Sequence, residues 1–262
     1  MSSTTAIKSD RDPALLDTAA VYFTVTIATL GAILMSVTSS PTAKGASFLW
    51  FPAALQLIAG IWLGKWRGLI VGGLGAYLAG IICYGGWGLR DIIMNLIAGG
   101  VTNAFLPSVL FTLFHIDPTM GTTDDLDGSK GEPHLTIRGW RLFMVLCIVF
   151  IIAYIMNKFH MGLWGYIGPF AVLLIAPSLL LNMSVRSRRD FVLASIIVTF
   201  ASLCSALLGS WGQVFTLHQS WPQALLGTGI GWFLGNTTSC ILGLYILAAF
   251  TTTAREGGIS LA

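Results

Sequence analysis

The chain has 262 residues, of which 55% are apolar and only 10% are charged, and its formal net charge is +3. A water-soluble domain carries about 25% charged residues on average, so this composition excludes an ordinary soluble domain, and the small charge gives no support to nucleic-acid binding. Uncharged stretches of about 18 residues or more instead predict helices that cross the ~30 Å hydrocarbon layer of a membrane.

Eight apolar runs follow one another along the chain. We predict an all-α, polytopic bundle of about eight transmembrane helices, because a backbone exposed to lipid must satisfy its own hydrogen bonds and the runs are too long for barrel strands. The predicted spans are residues 18–37, 47–64, 67–85, 91–114, 138–157, 162–182, 190–210 and 222–250. The predicted parts are a cytoplasmic N-terminal segment (1–17), a first four-span half (18–114), an acidic cytoplasmic linker (115–137), a second four-span half (138–250) and a cytoplasmic tail (251–262).

The basic residues predict the orientation of the spans, since short cytoplasmic loops collect Lys and Arg. Of the 14 basic residues, all but three lie in the termini and in one set of loops. The opposite set of loops carries only Lys44, Arg90 and Lys158. We therefore predict a multi-pass protein of a prokaryotic inner membrane with both termini in the cytoplasm.

The two halves share a weak signal of a parallel repeat. PAALQLIAG at 52–60 and PFAVLLIAP at 169–177 agree at five of nine positions, and each segment opens a predicted span. Because apolar spans resemble one another by chance, the sequence leaves open whether the four-plus-four arrangement is a true duplication.

Small residues recur at every fourth position in the third and eighth spans. They are Gly72, Ala76 and Gly80 in the third span and Gly227, Gly231 and Gly235 in the eighth. Such rows let helix backbones approach closely in lipid, where no hydrophobic force drives helices together. We predict helix packing for both rows, and a substrate groove is the alternative.

Polar side chains at membrane depth cost free energy and are often functional. The candidates in this chain are Gln56, Asn95, Asn103 and Asn236, the last of which is followed by Thr237, Thr238 and Ser239. The structural alternative is hydrogen bonding between helices, worth about 0.6 kcal/mol for each bond. For any single residue the sequence favours this alternative.

Aromatic and polar residues gather at span ends on the non-cytoplasmic side. Many of them fit the aromatic belt of a membrane interface, but aromatic walls with a few polar groups also suit a small-molecule site. The predicted ligand-binding residues are Arg90, Asp91, Trp87, Asn95, Trp164, Trp211, Trp221 and His218. Arg90 is the main candidate, because a cation on a side poor in Lys and Arg goes against the orientation bias; contact with a lipid headgroup is the alternative.

The sequence lacks the motifs of the common enzyme classes. It has no nucleophile motif, paired catalytic carboxylates, P-loop or HExxH motif. The four cysteines show no CxxC spacing, and the four histidines lie in loops or at span edges, which suits neither a zinc site nor a membrane haem. We predict no enzymatic activity, no metal and no cofactor.

The segment LWFPAALQLIAGIWLGKWRGLIVGGLGAYLAGI at 49–81, followed by MNLIAGGVTNAFLPSVLF at 94–111, resembles the membrane-associated sensor (MASE-type) domain of bacterial histidine kinases and diguanylate cyclases. This resemblance implies an eight-span sensory domain. No kinase or cyclase domain follows residue 255, so it further implies signalling through a partner. The pattern GxxxGxxGA at 68–76 is also similar to the substrate-binding components of energy-coupling-factor vitamin transporters, which usually have six spans.

The leading hypothesis is a sensory or ligand-binding membrane module that recognises a small molecule from the non-cytoplasmic side. It would act through a membrane or cytoplasmic protein partner within the lipid bilayer. One alternative is a substrate-binding component of a transporter for a small, vitamin-like solute. The other is a structural assembly subunit of a membrane complex. The sequence does not identify the ligand.

Overall fold

The structure, a computed structural model, describes residues 13–37, 50–84, 88–120 and 187–256. Within these ranges the chain forms helices and turns and has no β-strand. The elements are α1 (Pro13–Val37), α2 (Pro52–Tyr84), α3 (Leu89–Asp91), the π-helix π1 (Ile92–Phe105), α4 (Leu106–Leu113), α5 (Arg188–Leu217), α6 (Trp221–Ala224), the π-helix π2 (Leu225–Gly229) and α7 (Ile230–Glu256). The elements α3, π1 and α4 follow one another without a break and form one continuous helical segment, as do α6, π2 and α7.

Four helical stretches among the described residues are long and apolar enough to cross a membrane. They are Pro52–Ile82, which a turn at Gly64 divides into two arms, and the stretches Ile92–Leu113, Arg189–Leu217 and Ile230–Ala248. A helix satisfies its backbone hydrogen bonds internally, as lipid requires. The predicted class, an all-helical protein with spanning helices, is therefore confirmed. The predicted spans 138–157 and 162–182 lie outside the described residues.

Helix α2 is folded back on itself at Gly64. This residue has φ 81° and ψ 167°, a backbone conformation that is almost confined to glycine. A straight helix would separate Gln56 from Gly72 by about 24 Å, yet the Gln56 side chain donates a hydrogen bond to the Gly72 carbonyl at 3.2 Å. Helix α2 therefore consists of two antiparallel arms, residues 52–63 and 65–84. The turn between them lies at the boundary that the sequence predicts between the second and third spans.

Glycines set the short distances between α2 and its surroundings. A side chain on Gly68 would overlap the backbone of Gly60 in the opposite arm. A Cβ on Gly100 of π1 would lie only 2.7 Å from the Cα of Gly73 in the second arm. Because dispersion contacts replace the hydrophobic force in lipid, this close backbone approach is what holds such helices together.

The first arm of α2 runs parallel to α7. Near the start of the arm the Cys240 thiol donates to the Ala53 carbonyl at 3.6 Å, and near its end the Trp62 indole donates to the Thr251 hydroxyl at 3.0 Å. Along this interface a core of buried apolar side chains joins α2, α5 and α7. The two contacts have nearly equal sequence offsets, 187 and 189 positions, which shows that the two helices run in the same direction.

The residues on either side of segment 121–186 lie together. The Ser187 N–H donates to the Met120 carbonyl at 3.0 Å, and the Arg189 guanidinium donates to the Phe114 carbonyl at 3.3 Å. The end of α4 and the start of α5 are therefore at the same end of the bundle.

One numbering interval relates the second arm of α2 and π1 to α5 and the helix that follows it. The helices π1 and π2 begin 133 positions apart, at residues 92 and 225. The same interval separates Asn103 from Asn236 and Gly72 from Ser205. Gly72 lies against Ala104, next to Asn103, just as Ser205 contacts Asn236. Two helix contacts in the structure are therefore separated by the same interval of 133 positions.

The predicted end of the seventh span is wrong. The sequence predicts a span at 190–210 and an outward loop at 211–221, whereas α5 continues to Leu217 and only residues 218–220 separate it from α6. The extra turns contain polar side chains, which resemble a loop in the sequence. Among them, Thr216 bonds its hydroxyl back to the Gly212 carbonyl of the same helix, and Gln213 is buried against the neighbouring helices. His218, with φ 53°, ends the helix.

Candidate functional site

A cavity of about 30 Å³ lies between α2, π1, α5 and α7. Its lining consists of Trp50, Gln56, Ala76, Met94, Asn95, Gly99, Asn103, Ser205, Trp232 and Asn236. The lining includes all four amide side chains that the sequence marks as candidates at membrane depth, and none of the described lining residues has an ionisable side chain. A volume of this size holds about two or three water molecules. The site is therefore small, polar and uncharged.

A first chain of hydrogen bonds connects both arms of α2 to π1. The Gln56 Nε2 donates to the Gly72 carbonyl at 3.2 Å, and the Asn103 Nδ2 donates to the Gln56 Oε1 at 2.9 Å. Both amide side chains are buried, and the Asn103 Oδ1 has no hydrogen-bond partner. An unpaired buried acceptor costs about 1–3 kcal/mol. A hydrogen bond donated to this oxygen would remove that cost, so it is the atom at which a bound molecule would gain the most free energy.

A second chain of hydrogen bonds connects π1, α5 and α7. The Ser205 hydroxyl donates to the Ala98 carbonyl at 2.7 Å, and the Asn236 Nδ2 donates to the Ser205 oxygen at 2.9 Å. The Thr102 hydroxyl donates to the same carbonyl. Ser205 and Asn236 are both buried. Asn103 and Asn236, one from each half of the chain, are thus both held through their side-chain nitrogens at a single cavity.

Glycines make room for the amides. A Cβ on Gly80 would lie 2.7 Å from the Asn95 Nδ2, and a Cβ on Gly99 would lie 3.0 Å from the Gln56 Nε2. Contacts between a new Cβ and a neighbour at such distances require the neighbour to shift. Larger residues at these two positions would therefore displace the polar side chains of the cavity.

The predicted packing residues lie inside the bundle wherever the structure describes them. In the second arm of α2, Gly72 lies against Ala104, Gly80 lies against Asn95, and Ala76 lines the cavity. In α7, Gly231 and Gly235 are buried. The surroundings of Gly227 are not described.

Two tryptophans form the apolar wall of the cavity. The ring of Trp232 covers Gly209 of α5, where a Cβ would lie 2.5 Å from the ring. Trp50 precedes the first arm of α2, and its carbonyl accepts a hydrogen bond from the Ala53 N–H at 2.9 Å. The cavity therefore lies beside the first turn of this arm, far from the turn at Gly64.

The structure brings one of the predicted ligand-binding residues, Asn95, into this cavity. Asp91 is buried nearby in sequence, in the last turn of α3. Trp211, Trp221 and His218 are exposed and do not line the cavity; Trp211 instead stacks on the neighbouring Phe215 at 5.2 Å between ring centroids. Trp87, Trp164 and the side chain of Arg90 lie outside what the structure describes. The site around Arg90 therefore stays a prediction.

Sequence reasoning missed four residues of the cavity: Met94, Gly99, Ser205 and Trp232. Met94 and Trp232 look like ordinary apolar residues of a span. Ser205 had a detectable signal, since it precedes Gly209 by four positions in an otherwise apolar run, the spacing of small residues at a helix interface.

No group of three or more His, Cys, Asp or Glu side chains that suits a metal ion occurs in the part of the chain that the structure describes. No protein-family model, curated protein or solved structure matches this chain. Its function must therefore be argued from the cavity itself.

Proposed function

We propose that this chain is a membrane-embedded ligand-binding protein of the sensory type. It binds a small molecule from the non-cytoplasmic side in the polar cavity and acts through a protein partner. The observation that supports this most is the unpartnered, buried Asn103 Oδ1 in the cavity wall. A polar network that only held helices together would be expected to satisfy its members.

The proposed topology has eight spans and cytoplasmic termini. The contact between Met120 and Ser187 supports an even number of crossings between these two residues, and the predicted spans 138–157 and 162–182 would supply them. The exposed Lys65 at the α2 turn fits the basic, cytoplasmic end. The first arm then begins toward the opposite side, and the cavity beside its first turn is on the non-cytoplasmic half of the bundle.

The proposal includes a parallel duplication of a four-span unit. It is supported by the common interval of 133 positions between the starts of the two π-helices and between Asn103 and Asn236. In such an arrangement the halves are related by an axis along the membrane normal, and a site at their interface receives equivalent residues from both. The paired asparagines in one cavity fit this relation.

A transport component is the second candidate, and the same pair of asparagines favours it. Many transporters place their substrate between two repeats near the middle of the bilayer. Binding alone does not separate the two functions. Solute uptake into sealed vesicles does, because a transporter accumulates or equilibrates the solute, whereas a sensor binds it without passage.

Ligand binding to the purified protein in lipid nanodiscs tests the proposal. The midpoint of thermal unfolding is measured against a panel of small neutral, anionic and cationic solutes. A ligand at about 100 times its Kd stabilises the folded state by about 2.7 kcal/mol, which raises the midpoint by several degrees. We expect at least one solute to do so.

Two variants assign the binding to the cavity. Asn236→Leu keeps the approximate volume but removes the amide, and it should abolish the shift. The control is Thr199→Val, because the Thr199 hydroxyl is exposed on α5 and bonds only to the Ser195 carbonyl of its own helix, at 2.8 Å. It should respond like the unmodified protein. A panel without any stabilising solute, or equal shifts in Asn236→Leu, would refute the proposal.

A further inference from the structure

The hydrogen-bond donors and acceptors of the cavity are fixed by backbone carbonyls. The Gly72 carbonyl can only accept, so the Gln56 side chain must present its nitrogen to it. The Gln56 oxygen then faces Asn103, which must donate with its own nitrogen. The alternative amide orientation would place two oxygens against each other. The Asn103 Oδ1 is thereby fixed as the free atom, and it is an acceptor.

The second chain of hydrogen bonds has the same polarity. The Ala98 carbonyl accepts from the Ser205 hydroxyl, so a lone pair of that hydroxyl is turned to Asn236, which must donate with its nitrogen. The Asn236 oxygen is not used in this chain. Of the three asparagines that line the cavity, Asn103 and Asn236 are therefore held by their nitrogens, and the Asn103 Oδ1 is left without a partner. A guest that complements this oxygen must donate a hydrogen bond.

The charge of the guest follows from the surroundings. None of the described lining residues is a carboxylate, the buried Asp91 lying four positions before Asn95 outside the lining, and the first turn of the α2 arm, with its partial positive charge, lies between Trp50 and Gln56 of the lining. An anion would meet neither Arg nor Lys among the described lining residues and would face the Asn103 oxygen. Binding of an uncharged guest avoids the free-energy cost of burying a charge without a partner of opposite sign.

The volume limits the guest further. A cavity of about 30 Å³ holds two or three water molecules, so a guest that replaces them has about three or four non-hydrogen atoms. We propose that the cavity binds a small uncharged molecule of the primary-amide or urea class, with an N–H group directed at the Asn103 Oδ1. This inference rests on the proposed function, since it names the ligand class of the same site.

Four probes of one planar shape test it on the full chain in nanodiscs. Acetamide, acetone, acetate and acetamidinium have the same number of non-hydrogen atoms and differ in N–H groups and in charge. So small a ligand binds no tighter than about 40 µM, and the titration by saturation-transfer NMR must therefore extend to the millimolar range. We expect acetamide to bind at least tenfold more tightly than each of the other three.

The variant Asn103→Leu should lower the affinity for acetamide at least tenfold, while Thr199→Val leaves it unchanged. The comparison of the four probes needs no variant, so it decides the matter even where Asn103→Leu does not fold. Equal or tighter binding of acetone, acetate or acetamidinium would overturn the ligand class but leave a binding cavity in place. Binding of none of the four would also overturn it, and the wider solute panel would then decide the proposed function separately.

Discussion

Replacing Gly64 by alanine tests whether α2 is a hairpin. At φ 81° and ψ 167° a Cβ is strained, and residues held in such regions of the backbone map cost about 1–3 kcal/mol. A protein of this size loses roughly 2–4 °C of its unfolding midpoint per kcal/mol. A cost of about 2 kcal/mol therefore lowers the midpoint of Gly64→Ala by about 4–8 °C.

The matched control is Gly88→Ala. Gly88 has φ −85°, it is exposed, and a Cβ there would meet its nearest neighbour, the Asp91 carboxylate, at 3.9 Å. Both variants add one methyl group and remove the same backbone freedom from the unfolded chain. Thermal unfolding of the two variants in the same nanodiscs isolates the strain at residue 64. Equal midpoints would contradict the turn at this position.

A disulfide provides an independent measurement of the same turn. The Cβ of Gln56 lies 3.5 Å from the position of a Cβ on Gly72, which is within the range of Cβ separations in disulfides, about 3.5–4.5 Å. In a straight α2 the two residues would be about 24 Å apart. The double variant Gln56→Cys with Gly72→Cys, in a chain without its four natural cysteines, should therefore oxidise to an intramolecular disulfide, detected by mass spectrometry. Failure to form it would refute the hairpin.

Three further predictions concern topology, ligand charge and the core. Cysteines introduced at Ser129 and Ser220 should differ in labelling by an impermeant reagent in intact cells, with only Ser220→Cys labelled, and equal labelling would contradict the eight-span count. If an outward anionic ligand binds at Arg90, Arg90→Gln should lower its affinity about tenfold or more with the fold intact, and unchanged binding in titration would remove Arg90 from the site. Trp62→Phe removes the indole N–H that donates to the Thr251 hydroxyl, so the free energy of unfolding should fall by about 1 kcal/mol. An unchanged free energy of unfolding in denaturant titration would mean that this hydrogen bond contributes nothing to stability.

Much of the helical architecture was predictable because it depends on local properties of the sequence. Uncharged runs of sufficient length give the spans, and the basic residues Lys65 and Arg67 next to Gly64 mark the turn within α2. The end of α5 was not predictable in the same way. A polar residue such as Gln213 resembles part of a loop in the sequence, but the helix buries it, since tertiary packing rather than composition decides where the helix ends.

The candidate site was predictable in its members but not in its assembly. Gln56, Asn103 and Asn236 are recognisable as costly polar residues at membrane depth. Their meeting at one cavity depends on the register of helices that are far apart in sequence, and no local pattern encodes that register. The polarity of the site depends on the backbone carbonyls of Gly72 and Ala98, which are common to every sequence and become informative only when the structure shows which amides face them.

The sequence presented helix packing and a ligand groove as alternatives for the glycine row in the third span, and in the structure Gly72 contributes both to packing and to the cavity. A Cβ on Gly72 would lie 3.2 Å from the Cβ of Ala104 in π1, so the close approach of the two helices favours glycine there. The Gly72 carbonyl also accepts the hydrogen bond of Gln56, which in turn accepts from Asn103. A larger residue in this row would therefore separate the helices and also break the hydrogen bonds between the amides. Loss of stability and loss of binding are expected to occur together there. At Asn103, by contrast, a substitution such as Asn103→Leu removes the polar group alone.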